Sequence, residues 1–295
     1  MCGPQVRARH LIRYRVTGVT RYAAITASAR TGRCVLAREV GVEWINDYNN
    51  LNKLTHEHED AGGFYDELVN HDGWIGRFNW GDSNAWEDDF KRTSKGGHAP
   101  DWVETCDIVY FTGHGSPSGF YFRSDTPDDS LVEGDFVSGP TNGDMRLGTG
   151  DLDWLALEVC NTLQLDATLG GVNRDVFDRW AEAFAGLHTI LSFTTTSLDL
   201  ATPGRYFAAF LDGRWLNVVF GFPFPVTVSP LKMIDSWFMM AEICQPDDVE
   251  AAVLYANTQG TDTQNDYAWG HGHVSPDPIR GAASWFSWTW VPHAC

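Results

Sequence analysis

The chain has 295 residues, 43% of them hydrophobic and 13% aromatic, so it can bury a sizeable core as one large domain or two small ones. Its net charge of −18 repels phosphate, so we expect no nucleic-acid partner, and the charge favours cationic partners or simple solubility. No apolar run reaches the length of a membrane span, the first residues lack a secretory signal, and the six cysteines form no CxxC pair. We therefore expect no membrane partner, no disulfide framework and a cytoplasmic location.

The first 38 residues differ from the rest of the chain in charge, because they hold eight arginines and no acid. Such a segment is typical of an organellar leader or a remnant of a longer precursor. Its alternating pattern, with a turn-like Arg-Thr-Gly-Arg at 30–33, favours strands instead. We predict a β-hairpin appendage over 1–38, followed by one α/β domain over 39–295.

From residue 40 onward, short apolar segments alternate with helix-like ones. The predicted strands are 40–45, 77–80, 108–111, 154–159 and 189–196. The predicted helices are 64–69, 83–91 (capped by Ser83), 176–184, 206–211 and 233–244. This alternation predicts a mostly parallel sheet with helices on both faces.

Two consecutive predicted strands end in reactive side chains, His114 and Cys160. Ligands of open α/β sheets bind beyond the carboxyl ends of the strands, so neighbouring strands would bring both side chains to one crevice. A thiol beside an imidazole is the minimal apparatus for covalent acyl transfer, and it requires no cofactor. Gly113 and Gly115 leave room for a substrate backbone, and the N–H groups of Gly115 and Cys160 are candidate oxyanion donors.

Each of these residues also has a purely structural interpretation, and other segments suggest other chemistry. A buried cysteine often fills a core, and a lone histidine is often a hydrogen-bonded structural residue. The opening "MCG" would suit an amidotransferase that uses Cys2 as its amino-terminal nucleophile. The pairs His56/His58 and His271/His273 have metal-like spacing, but we predict no metal site, and we leave open that the second pair edges the crevice.

The segments "IVYFTGHGS" and "WLALEVC" resemble the two motifs of the caspase-like cysteine peptidases, the group of caspases, gingipains, separase and legumain. The legumain-type asparaginyl endopeptidases are most similar. The resemblance implies a caspase-like α/β fold over most of residues 40–245. It also implies that His114 is the general acid/base, Cys160 the nucleophile and Gly115 part of the oxyanion hole.

The resemblance extends to supporting residues. It implies that Glu158 is an acid of the substrate pocket and that Asn49 supports the histidine. Further supporting or pocket positions are Gly113, Ser116, Thr195 and Thr196, the last two on a wall of the pocket for the P1 residue.

The chain also departs from the legumain pattern. Gly113 stands where these enzymes carry an acid, and Asn-Thr-Leu follows the cysteine in place of Glu-Ser-Gly. The resemblance therefore carries over the fold and the dyad but not a preference for asparagine or aspartate. An acid such as Glu158 in the pocket would instead favour a basic P1 residue.

The function expected from these residues is that of a cysteine peptidase acting on a peptide or protein through a thioester intermediate. A transpeptidase, a cyclase or a small-molecule acyl-transfer enzyme would use the same dyad. A catalytically silent caspase-like domain with a binding or regulatory role is the alternative from another class. The sequence indicates no particular oligomeric state.

Overall fold

The computed structural model describes residues 11–12, 37–49, 51–123, 130–132 and 143–290. Over these residues the chain forms one large sheet and two small ones. The strands are β1 (Leu11–Ile12), β2 (Glu39–Trp44), β3 (Ile75–Gly81), β4 (Ile108–Thr112), β5 (Gly115–Ser116), β6 (Gly119–Tyr121), β7 (Ser130–Val132), β8 (Trp154–Glu158), β9 (Asp166–Leu169), β10 (Val172–Asp175), β11 (Thr189–Phe193), β12 (Ala251–Asn257) and β13 (Ser284–Trp290).

The large sheet has the order β1-β13-β12-β11-β8-β4-β2-β3. The five strands from β3 to β11 run parallel, and β12, β13 and β1 add antiparallel pairings at the other side. The chain moves outward from β2 to β3 and then crosses back to β4, so the topological switch point lies between β2 and β4. The predicted α/β class and its mostly parallel sheet are therefore confirmed.

Helices cover both faces of this sheet. They are α1 (Glu57–Asp66), α2 (Val176–Trp180), α3 (Pro203–Asp212), α4 (Trp215–Val218) and α5 (Met233–Cys244), and α1 continues into a π-helical turn over Glu67–His71. On one face α1, α3 and α5 pack over Tyr110 and Trp154, and on the other α2 and several 3-10 turns pack over Phe111 and Leu157. Alternate residues of β4 and β8 enter opposite cores, as strands buried on both faces require.

The predicted helix over 83–91 is wrong. The structure has two 3-10 turns there, Asp82–Asn84 and Glu87–Asp89, separated by extended backbone at Ala85 and Trp86. Tertiary contacts account for the difference. The Asp82 carboxylate accepts hydrogen bonds from the N–H groups of the loop after β2, and Phe90 packs among core aromatic rings.

The ends of the chain bring further differences from the sequence prediction. Most of the predicted hairpin over 1–38 lies outside the described residues, and its described strand β1 pairs with β13. The antiparallel strands β12 and β13 were not predicted, and the helix predicted over 176–184 is α helical only to Trp180. None of the helices among the described residues is both long and apolar enough to cross a membrane.

Candidate active site

The candidate site lies at the carboxyl ends of β4 and β8, which are neighbouring parallel strands. Thr112 at the end of β4 pairs with Glu158 at the end of β8, and His114 and Cys160 each follow two residues later. The N–H of Gly113 donates to the carbonyl of Glu158 at 3.3 Å, which continues the pairing past both strands. The predicted adjacency of the two strand ends is therefore confirmed, and it lies beside the switch point where open α/β sheets bind ligands.

The imidazole of His114 is held from two sides. Its Nε2 lies 2.8 Å from the carbonyl oxygen of Asn52, and because a carbonyl can only accept, Nε2 carries the proton. The tautomer compatible with this hydrogen bond has its lone pair on Nδ1. The ring packs against Tyr48 with centroids 4.7 Å apart, and the His114 N–H donates to the Tyr48 hydroxyl at 2.7 Å.

The loop after β2 supplies this support through a residue that the sequence analysis did not single out. Asn46 bonds to both backbone groups of Leu54, and its side-chain oxygen accepts from the N–H of His58 at 3.0 Å. This closure brings the Asn52 carbonyl to the imidazole. Asn49, the predicted support, lies exposed on the same loop, and the oxygen that contacts Nε2 is the backbone carbonyl of Asn52. The asparagine-rich segment "INDYNNLN" directly after the strand is the sequence signal for such a loop-closing asparagine.

The glycines flanking the histidine allow two close approaches. A Cβ on Gly113 would stand 2.4 Å from the Tyr48 hydroxyl, so the acid found here in legumain-type enzymes does not fit this arrangement. A Cβ on Gly115 would stand 2.8 Å from the carbonyl oxygen of Cys160. The loop after β4 that carries His114 (the histidine loop) therefore touches the loop after β8 that carries Cys160 (the cysteine loop). The Ser116 hydroxyl contacts the Tyr121 hydroxyl at 3.0 Å inside the adjoining hairpin.

The thiol of Cys160 is half-buried and faces residue 197. Its Sγ lies 3.7 Å from the carbonyl oxygen and 3.8 Å from the hydroxyl of Ser197, and among the described residues its hydrogen bonds do not include His114. The next residue, Asn161, adopts a left-handed conformation with φ of 59°. Its N–H donates to the carbonyl of Thr195 at 2.9 Å and its side-chain amide to the hydroxyl of Thr196 at 3.4 Å. The predicted wall therefore contacts the cysteine loop.

Behind the thiol lies a group of buried carboxyls. Glu158 is 6% exposed and accepts a hydrogen bond from the side chain of Gln245 at 3.2 Å. Burial, followed by the nearby carboxyls of Asp60 and Glu57 and the thiol of Cys160, raises the pKa of Glu158 well above its usual range. Burial therefore favours the neutral form of this carboxyl, which works against the negative charge that was expected to attract a basic P1 residue.

One buried arginine joins the loops that carry His114 and Cys160. Arg179 in α2 has no exposed surface, and its guanidinium donates to the carbonyl of Pro117 at 2.5 Å and to that of Thr162 at 3.3 Å. It also donates to the carbonyl of Gln164. Pro117 belongs to the histidine loop and the other two residues to the cysteine loop. Nothing in the spacing of the sequence indicates this bridge, because α2 follows both loops in the chain.

The remaining histidine predictions have plain outcomes. His271 bonds to Asp72 at 2.7 Å, beside Arg38 and just before β3, which is the amino end of the sheet and not the crevice. His56 contributes its N–H to Asp199 at the start of α1. Cys2 lies outside the described residues, so the amidotransferase alternative stays untested.

The arrangement presents a thiol, an imidazole and backbone N–H groups at one edge of the sheet. Fold and site together define an α/β protein with a thiol and an imidazole after neighbouring strand ends, beside its topological switch point. The chain belongs to the family described as Domain of unknown function (DUF6345), whose model matches residues 42–291. No curated protein matches the chain.

Proposed function

We propose that the protein is a cysteine hydrolase of the caspase-like α/β fold, most simply an endopeptidase. The observation that carries the proposal is the placement of His114 and Cys160 after paired residues of neighbouring strands, on loops that touch at Gly115. Strand ends beside a switch point are where α/β enzymes hold their reacting groups. The imidazole is also fixed in one tautomer, as a proton carrier needs to be.

The reaction would proceed through a thioester. The thiol of Cys160 gives its proton to Nδ1 of His114, and its sulfur attacks the scissile carbonyl carbon. The C–N bond breaks as the imidazolium returns the proton to the leaving amine. A water molecule, deprotonated by the same nitrogen, then attacks the thioester, releasing the acid and restoring the thiol.

The scissile bond would lie between the imidazole ring and the thiol. A histidine that protonates the leaving amine must reach past the scissile bond, so room for that bond is needed between ring and thiol. The hydrogen bond from Cys160 to Ser197 holds the thiol until substrate displaces it. The N–H groups of Gly115 and Cys160 would bind the oxyanion, because both lie where the two loops meet.

Other outcomes of the same chemistry differ in what attacks the thioester. An amine in place of water gives a transpeptidase or cyclase, and a small acyl compound in place of a peptide gives a metabolite acyl-transfer enzyme. The hydrogen bond of the thiol to Ser197, with none to His114, favours the alternative of a catalytically silent binding domain.

The test is covalent labelling followed by cleavage. Wild type, Cys160→Ala and His114→Ala are treated with iodoacetamide or a peptide acyloxymethyl ketone, and the label is located by peptide mass spectrometry. We expect Cys160 to be labelled fastest, and His114→Ala to slow peptide cleavage about 100-fold or more, the usual contribution of a general acid/base. Cleavage of a library varied at P1 should disappear in Cys160→Ala.

Two other thiols serve as internal controls. Burial raises the pKa of Cys244 to about 12 and that of Cys106 further, so neither should react. Cys244→Ala should leave the labelling pattern unchanged. Labelling of Cys160 that is no faster than that of a small free thiol and indifferent to His114 would establish the silent domain instead.

A further inference from the structure

A second group of reactive side chains lies at the opposite, amino-terminal edge of the sheet. Asp153 immediately precedes β8 and His188 immediately precedes β11, and the His188 N–H donates to the Asp153 carbonyl at 2.8 Å. The segment between β12 and β13 adds Asp266 and Asp277 to the same place. These four residues have no role in the proposed hydrolase.

The imidazole of His188 is oriented by one carboxylate and directed at two others. Its side chain is fully buried, and Nδ1 lies 2.6 Å from Oδ2 of Asp266, which fixes the proton on Nδ1. Its Nε2 lies 3.5 Å from Oδ1 of Asp153 and 3.6 Å from Oδ1 of Asp277. Among the described residues Nε2 has no hydrogen-bond partner, although it is buried.

These distances are those between the ligands of one small cation. The three donor atoms all lie within 4.8 Å of one another. For ligand bonds of about 2.0–2.2 Å, tetrahedral or trigonal geometry separates neighbouring donors by roughly 3.3–3.7 Å. An N–H donated to a single carboxylate would lie at about 2.7–2.9 Å instead. The near-equal distances from Nε2 to the two carboxylate oxygens therefore suit a cation bound between the three groups.

The surrounding residues orient the donors as second-shell groups do at metal sites. The indole N–H of Trp269 donates to Oδ2 of Asp153 at 2.6 Å, which leaves Oδ1 directed at the imidazole. The N–H of Ser275 donates to Oδ1 of Asp266 at 2.7 Å, so that carboxylate is held from both sides. A carboxylate on the far nitrogen of a ligating histidine is a recurrent feature of zinc sites. Asp277 is 57% exposed, which leaves a path for an ion to enter.

The electrostatics of the cluster call for a cation. Three carboxylates, those of Asp153, Asp266 and Asp277, face the two ring nitrogens of the buried His188. A divalent ion bound to Nε2 would neutralise part of their negative charge.

We propose that Asp153, His188 and Asp277 bind one divalent transition cation, most simply Zn²⁺, with Asp266 orienting the imidazole. A nitrogen donor with two carboxylates suits zinc and its neighbours, whereas Ca²⁺ and Mg²⁺ prefer oxygen ligands alone. The ion would join the segment between β12 and β13 to the amino ends of β8 and β11. Its role would be structural, remote from the thiol.

The test measures metal binding directly. Chelator-treated protein in a Cys160→Ala background, which removes the candidate catalytic thiol as a competing ligand, is titrated with ZnCl₂ by calorimetry, and the bound metal is counted by elemental analysis. We expect one zinc per chain and a melting temperature that rises with free zinc. Asp277→Asn should weaken binding at least tenfold, and His188→Gln should weaken it further.

A matched control and a second ion make the result decisive. Asp247→Asn replaces another exposed aspartate outside the cluster and should leave zinc binding unchanged. Because Asp277 is exposed, Asp277→Asn should fold even if His188→Gln does not. Failure of the parent protein to bind zinc, equal binding by Asp277→Asn, or tighter binding of Ca²⁺ than of Zn²⁺ would each overturn the proposal.

Discussion

Tyr48 organises the surroundings of the histidine with one hydroxyl group. The hydroxyl accepts the N–H of His114 and donates to the carbonyl of Tyr121 at 3.0 Å, so it links the loop after β2 to the histidine loop. Burial, and to a smaller extent Glu57, Asp82 and Cys160, raises its pKa well above the usual range, which keeps the hydroxyl protonated and both bonds intact.

Gly115 is the residue where a single methyl group should separate the two loops. In Gly115→Ala the new Cβ would lie 2.7 Å from Cβ of Val159 and 2.8 Å from the carbonyl oxygen of Cys160, so the backbone must move. We expect the rate of Cys160 labelling to fall about 100-fold, as small misplacements of reacting groups do, and stability to fall by about 1–3 kcal/mol. Labelling kinetics and urea unfolding measure the two effects.

The control for this change is Gly62→Ala. Gly62 lies in α1, and a Cβ there meets nothing within 4 Å, so helix propensity should stabilise the protein by up to about 1 kcal/mol without changing labelling. If Gly115→Ala labels as fast as wild type, the close contact of the loops has no part in the reactivity of the thiol.

At the scale of elements, α2 acts as a clamp on the loops that follow β4 and β8. Asp175 caps α2 by accepting the N–H of Asp178 at 2.8 Å, which fixes where the helix begins. Arg179 and Trp180, one turn further on, both donate to the carbonyl of Thr162. A short helix thereby sets the position of the chain that follows the cysteine.

We predict that Arg179→Lys loosens the loops that carry His114 and Cys160 without removing the positive charge. A lysine ammonium lacks the planar fork that donates to three carbonyls on two loops. Amide hydrogen exchange should therefore quicken in residues 114–118 and 160–164, and Cys160 labelling should slow about tenfold. The matched variant Arg205→Lys changes a half-exposed arginine near Glu67 and should alter neither measurement. Unchanged exchange in Arg179→Lys would show that α2 is not a clamp.

Elements with strong local patterns were predictable from the sequence. The apolar runs that became β4 and β8 placed His114 and Cys160 at the same edge, and α5 was predicted with the bounds it has, Met233–Cys244. The prediction of a helix over 83–91 was wrong because contacts of Asp82 and Phe90 outweigh local helix propensity.

Contacts between distant segments were not predictable from one sequence. The carbonyl of Asn52 on His114 is a backbone group, which leaves no mark on residue type. The three proposed cation ligands are spread over residues 153–277, so no motif spacing reveals them. Both the contact of Asn52 with His114 and the cluster of proposed cation ligands depend on how the strands are aligned in the sheet.

At the scale of the molecule, the two edges of one sheet carry separate chemistry. Strands β8 and β11 run from the acidic cluster around His188 to the loops around Cys160 and Ser197. Between the edges, the face covered by α1, α3 and α5 buries carboxyls such as Glu57, and burial favours their neutral forms. The whole chain carries a net charge of −18. Both features make the folded protein less stable as the pH rises, but for different reasons.

Those two causes can be separated by salt and by one substitution. Burial raises the pKa of Glu57 from 4.5 to about 9 and that of Asp60 from 3.8 to about 7, and between these two pKa values each group keeps in the folded protein a proton that it has lost in the unfolded chain. Stability is therefore complete below that window and falls through it by about 1.4 kcal/mol per pH unit for each such proton. Surface repulsion also grows above the pI of about 4.7, but 0.3 M NaCl screens it.

We expect urea unfolding from pH 5 to 9 to show a decline in the free energy of unfolding that salt reduces but does not remove. Glu57→Gln, which keeps an oxygen for the Thr112 hydroxyl but cannot ionise, should make the salt-resistant decline less steep, whereas Asp247→Asn should not. A decline that salt abolishes in wild type would mean that the buried carboxyls do not titrate with folding.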